Sequence, residues 1–142
     1  SSELNEILNK KSGMLGISGV SSDDREICEA EKKGNHRAKL SHEMMVYQLV
    51  QYIGAYNVIL KGCDCIIFTG GIGENQWMHR EKICEELRFM GVEIDKELNR
   101  QTIEGKFNKI SKNSSKIEIF VIPTNEELAI ARETLSLINH SM

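Results

Sequence analysis

Cys65-Ile66-Ile67-Phe68 and Ile117-Glu118-Ile119-Phe120-Val121-Ile122 are the two strong strand signals of the chain, and each runs directly into a turn and a helical pattern. The first is a continuous apolar run between Gly62 and Gly70, which suits a strand covered on both faces. Strands alternating with helices imply a parallel sheet with right-handed crossovers, so the fold class is α/β. Ligands of such sheets bind beyond the carboxyl ends of the strands, which points to the turns after Phe68 and Ile122. Two strong strands make a small sheet for so much helix. Further strands are expected upstream. The 142 residues, opening on Ser1-Ser2 rather than Met, read as a single domain-sized piece of a longer protein.

Helices are legible from apolar spacing. Over residues 36–60, Leu40, Met44, Tyr47, Val50, Ile53, Asn57 and Leu60 recur every three or four positions, and Met45, Leu49, Tyr52 and Tyr56 widen the stripe. A helix this long, apolar over more than one face, is expected to be buried, with part of it against another subunit. Shorter patterns cover residues 3–10 and run from Asn75 or Gln76 to the stop at Gly91, with Ile83, Leu87 and Met90 inside. A last helix is expected over residues 125–138. Residues 12–22 read as an ordered loop, 92–94 as a small edge strand and 108–116 as a surface connection. Asp23 with Glu26 three positions on has the form of a capping box, and Gly34 that of a helix stop.

Charge narrows the function. Eighteen Lys+Arg against twenty-one Asp+Glu leave a net charge of −3 with no basic stripe, which argues against nucleic acid. Nothing in the composition suits a membrane span, and residues 1–20 hold no signal-peptide core. Cys28, Cys63, Cys65 and Cys84 lack CxxC spacing and are expected as buried small hydrophobes in a reducing, cytoplasmic setting. His36, His42, His79 and His140 show no metal spacing and are expected at the surface or in packing.

Three segments could carry chemistry. Phe68-Thr69-Gly70-Gly71-Ile72-Gly73-Glu74-Asn75 joins a strand to a helix. Its glycines allow positive φ and close approach of a ligand, or simply a tight turn. It is neither a GxGxxG fingerprint nor a P-loop. Pro123-Thr124-Asn125-Glu126-Glu127 follows the second strand, with Thr124 and Glu127 placed as a capping box. That leaves Glu126 either favoured by the helix dipole or free to hold magnesium as a hard oxygen ligand. Ser18-Gly19-Val20-Ser21-Ser22-Asp23-Asp24-Arg25 could cradle a polar ligand or merely start a helix.

Read together, these segments resemble the C-terminal part of the acetate/propionate/butyrate kinase family, within the actin-like ATPase superfamily. The matching stretches are Leu15-Gly16-Ile17-Ser18-Gly19-Val20-Ser21-Ser22-Asp23, Gly34-Asn35-His36-Arg37-Ala38, Tyr52-Ile53-Gly54-Ala55-Tyr56, Phe68 to Asn75, and Ile122 to Arg132. The resemblance implies an incomplete C-terminal lobe of an actin-like ATPase (ribonuclease H-like) fold: a few-stranded sheet with packed helices, one of them long. Residues 1–142 would form one nucleotide-binding lobe of a two-lobed kinase. The implied activity is reversible transfer of the γ-phosphoryl of ATP to acetate, giving acetyl phosphate and ADP, or to propionate or butyrate. It implies magnesium, a cytoplasmic setting and a homodimer. Carried over by motif, Asp23, Asp24 and Arg25 contact the adenosine part, Gly71, Ile72, Gly73, Glu74 and Asn75 form the nucleotide loop, and Glu126 serves magnesium. The family's substrate pocket and catalytic residues have no match here, so no catalytic residue is assigned and the piece is expected to be inactive alone. A stand-alone nucleotide-binding or dimerisation module is the other reading.

Overall fold

The computed structural model describes residues 1–140. Helix α1 (Ser2–Lys10) leads into α2 (Gly13–Ser18), α3 (Asp24–Lys32) and the long α4 (His36–Leu60). Strand β1 (Cys65–Phe68) is followed by α5 (Gly70–Asn75), α6 (Trp77–Glu86) and a 3-10 turn (Arg88–Met90). Then come α7 (Lys96–Gln101), β2 (Asn108–Lys109), β3 (Glu118–Val121) and α8 (Glu126–His140). Among the described residues the sheet has three strands in the order β1-β3-β2. β1 and β3 are parallel, with Phe68 opposite Val121, so both strands end at the same edge. The α/β class and the parallel pair match the expectation; β2, antiparallel to β3, does not.

The core lies between the sheet and helices α4 and α6. Val46, Ile66, Ile83, Cys84, Leu87, Val92, Ile94, Ile110, Ile117, Ile119 and Val121 form it. Helix caps follow the chemistry of the sequence. Asp23 accepts the Arg25 N–H, Asn35 accepts from Arg37 and Ala38, and Asp95 from Glu97 and Leu98. Gly34 stops α3 at φ +86°.

Several expectations are corrected. Residues 12–22 contain a helical turn, α2, closed by Gly19 in the left-handed region. Residues 108–116 contain β2, and Val92 and Ile94 make isolated bridges to Ile117 and Ser111 rather than a strand. Helix α4 has the expected bounds but buries only Ala38, Ser41, His42 and Val46. Tyr47, Tyr52, Tyr56, Val58, Ile59 and Leu60 are exposed. β1 is covered on one face only, with Ile67 exposed. Cys28 and Cys84 are buried as expected, whereas Cys63 is half-buried and Cys65 exposed. Helix α8 lays Leu128, Leu135 and Ile138 along one side, all exposed. The side chain of His140 lies outside the described residues.

Candidate functional site at the ends of the parallel strands

The glycine segment after β1 is a helical turn rather than an open loop: α5 begins at Gly70, whose φ of +71° suits glycine. Gly73 faces the end of the strand so closely that a Cβ there would stand 3.3 Å from the Phe68 carbonyl carbon. Asn75 closes the turn by donating to the Gly71 carbonyl at 3.0 Å and accepting from the Glu104 N–H.

Glu74 ties this turn to the other strand. Its carboxylate, almost wholly buried, accepts from the Thr124 N–H at 2.9 Å and the Thr124 hydroxyl at 3.0 Å. The Thr124 backbone bond does most to hold the Glu74 carboxyl below its ordinary value. With the Ile122 N–H donating to the Phe68 carbonyl at 2.9 Å, the two strand exits are laced side by side. The glycine turn and the start of α8 therefore line one edge, as the placement of the strands requires.

This tie overturns the capping box expected at Thr124. Its hydroxyl serves Glu74, and Asn125 caps α8 instead, accepting the Leu128 N–H at 3.0 Å. Glu126 and Glu127 both become exposed first-turn residues of α8. Glu126 is thus a solvent-facing carboxylate beside the Glu74–Thr124 contact.

The Asp23–Arg25 segment reaches the first turn of α6 from α3, through the bond of Asp24 to His79. Arg25 lies exposed against Asp23, its guanidinium 2.7 Å from the carboxylate, and these bonds hold the Asp23 carboxyl down at about 2. Asp24 turns the other way. Its buried carboxylate reaches His79 Nε2 at 3.1 Å and His42 Nε2 at 3.2 Å, and Cys28 stands beside it. Burial raises the Asp24 carboxyl, but the His79 bond and the two imidazoles outweigh it and leave it below its ordinary value. Burial, helped by Asp24, pushes the Cys28 thiol up to about 11. His42 and His79 are thus packed, as expected, but among polar partners.

Sequence reasoning missed Arg80. It is 1 % exposed, and its guanidinium donates to the carbonyls of Gly73, Glu74, Asn99 and Thr102 and to Asn99 Oδ1. These carbonyls come from the closing residues of α5 and α7, where helix dipoles favour a cation. Burial lowers Arg80 to about 10, so it stays charged at neutral pH. Its signal was present: Arg80, Ile83, Cys84 and Leu87 fall on one helical face. Trp77 lies under the Arg100 guanidinium at 5.1 Å.

A hollow of about 460 Å³ opens beside the turn, walled by Leu49, Ile53, Ile67, Phe68, Ile72 and Ile83. Its mainly apolar walls suit packing rather than phosphate.

The model of the Acetokinase family matches residues 1–132. The chain belongs to the acetokinase family. It is 51% identical over 136 residues to an acetate kinase of Dictyoglomus thermophilum, covering 96% of this chain and 34% of that protein. The crystal structure of Porphyromonas gingivalis acetate kinase superposes with a TM-score of 0.87 at 46% identity, covering 97% of this chain and 34% of that one. A propionate kinase from Francisella tularensis is also similar, with TM-score 0.81 and 38% identity, over 93% of this chain and 33% of that one. This acetokinase chain therefore spans about a third of the length of the relatives it matches.

Proposed function

We propose that the chain is the C-terminal, nucleotide-binding lobe of an ATP:acetate phosphotransferase that works reversibly. The observation that carries this reading is the joint exit of β1 and β3, with Glu74 accepting from Thr124 across it. Family membership supplies the chemistry; this geometry supplies a place for it. In the proposal the backbone of Gly71, Ile72, Gly73 and Asn75 approaches the phosphates. Asp23 and Arg25 face the adenosine, while Asp24 sets the turn from beneath, since its carboxylate is turned inward. Glu74 acts by holding the glycine turn against Thr124.

The residues present fit magnesium. Glu126 is an exposed carboxylate at the open edge, and a hard cation held by one carboxylate and water is a usual magnesium arrangement. When bound, the ion would neutralise phosphate charge. Phosphoryl transfer also needs cations around the acceptor. Here Arg25 is paired with Asp23, Arg37 donates to the Gly16 and Ile17 carbonyls, and Arg80 is enclosed. The family's substrate pocket and catalytic residues also have no match here, and the chain alone is expected to form no acetyl phosphate.

The rest of the proposal is a cytoplasmic homodimer acting on acetate and ATP. The similarity to a propionate kinase supports a second reading, with propionate as acceptor. No described helix is long and apolar enough to cross a membrane. The test is a graft of this chain in place of the matching third of the Porphyromonas gingivalis enzyme. Acetyl phosphate formed by the graft and not by the chain alone supports the proposal. A dead but folded graft, or activity in the isolated chain, contradicts it.

A further inference from the structure

We propose that Asp24, Cys28, His42 and His79 form a closed binding site for a tetrahedral divalent transition metal of the zinc type, pinning α3, α4 and α6 together. The four ligand atoms all lie within 4.8 Å of one another and all four residues are buried. The i,i+4 spacing of Asp24 and Cys28 puts both on one face of α3, while His42 and His79 come from α4 and α6.

The spacings around Asp24 lie close to those of a coordination shell. Bonds of about 2.0 Å to nitrogen or oxygen and about 2.3 Å to sulfur set tetrahedral ligands roughly 3.3–3.5 Å apart. Here Asp24 Oδ1 stands 3.1 Å from His79 Nε2 and 3.2 Å from His42 Nε2, and Cys28 Sγ is 3.7 Å from Asp24 Oδ2. The imidazole centroids are 4.6 Å apart and the rings are inclined at 60°.

A second observation points to a ligand. His42 is wholly buried, yet its Nε2 has no hydrogen-bond partner despite its closeness to Asp24. Its other nitrogen, Nδ1, lies 2.5 Å from Glu31 Oε2. A carboxylate behind the imidazole fixes the Nδ1–H tautomer and turns the Nε2 lone pair inward, as carboxylates behind metal-bound histidines do. Lys82, 3.9 Å from Glu31, is the cation facing this pair from α6.

The donor set selects the ion. One thiolate, two imidazoles and one carboxylate suit zinc or cobalt and not magnesium or calcium. Four protein ligands leave no open position, so the role is structural. Binding replaces the proton on Cys28 Sγ with the metal and releases that proton to solvent. Asp24 also borders the segment proposed to face adenosine, but the geometry of the cluster does not depend on the proposed phosphotransfer.

The experiment adds Co²⁺ to the chelator-treated chain, and in parallel to the Porphyromonas gingivalis graft, so that poor folding of one cannot decide the result. The expected outcome is a single Co²⁺ per chain with intense tetrahedral visible bands and a thiolate-to-cobalt charge-transfer band. Zn²⁺ displaces it and excess Mg²⁺ does not. Cys28→Ser removes the charge-transfer band, and Glu31→Gln weakens affinity about 10- to 100-fold. His36→Ala, an exposed position outside the cluster, changes nothing. A pale octahedral spectrum, or binding that survives Cys28→Ser and His42→Gln unchanged, overturns the proposal. So does no binding at all, in which case the cluster is a buried imidazole–carboxylate network only.

Discussion

Arg80 carries more of the site than any residue that touches the open edge. Removing it leaves the carbonyls of Gly73, Glu74, Asn99 and Thr102 buried without their donor. Arg80→Met is expected to cost about 3 kcal/mol or more in urea unfolding, because unsatisfied buried groups cost about 1–3 kcal/mol each. Arg80→Lys should not rescue it, since an ammonium cannot reproduce the planar fork. The acidic pair of α8 behaves differently. Both Glu126 and Glu127 are exposed first-turn residues, so either alanine change should cost well under about 1 kcal/mol through the helix dipole. Asn125→Ala, which removes the cap, should cost about 1 kcal/mol. In the graft, Glu126→Ala should abolish most magnesium-dependent turnover while Glu127→Ala leaves it nearly intact. Steady-state rates against magnesium concentration check this.

At the scale of elements, the two strands, the long helix and the glycine segment were readable because apolar runs and helical spacing are local signals. The helical form of α5 was not, since glycines carry no propensity for it and its shape is set by contact of Gly73 with Phe68. The capping box failed for a similar reason: Thr124 had two possible partners, and the distant Glu74 took it. Gly73→Ala should therefore cost about 1–3 kcal/mol by overpacking and weaken nucleotide binding in the graft, read by calorimetry. The Glu74 tie also sets a pH dependence. Its folded carboxyl lies below the ordinary 4.5, so its stabilising contribution is full above that value and fades as pH falls through the lower folded one. Thermal midpoints of the wild type and Glu74→Gln should differ at neutral pH and converge in acid.

Over the whole molecule, burial was the property least legible from sequence. The apolar stripe on α4 and both faces of β1 were read as covered, yet Tyr52, Tyr56, Leu60 and Ile67 are exposed in this chain. A pattern records that a face is built to be covered, not which polypeptide covers it. Exposed apolar residues that recur along one helix, as on α4, suit a contact face. It accords with a chain that spans a third of its relatives. The central claim is that the three turns act together on one nucleotide. Hydrogen exchange of the graft with and without magnesium ADP tests it directly. Joint protection of residues 23–25, 70–75 and 124–127 is predicted; protection of the glycine turn without the start of α8, or of neither, would contradict it.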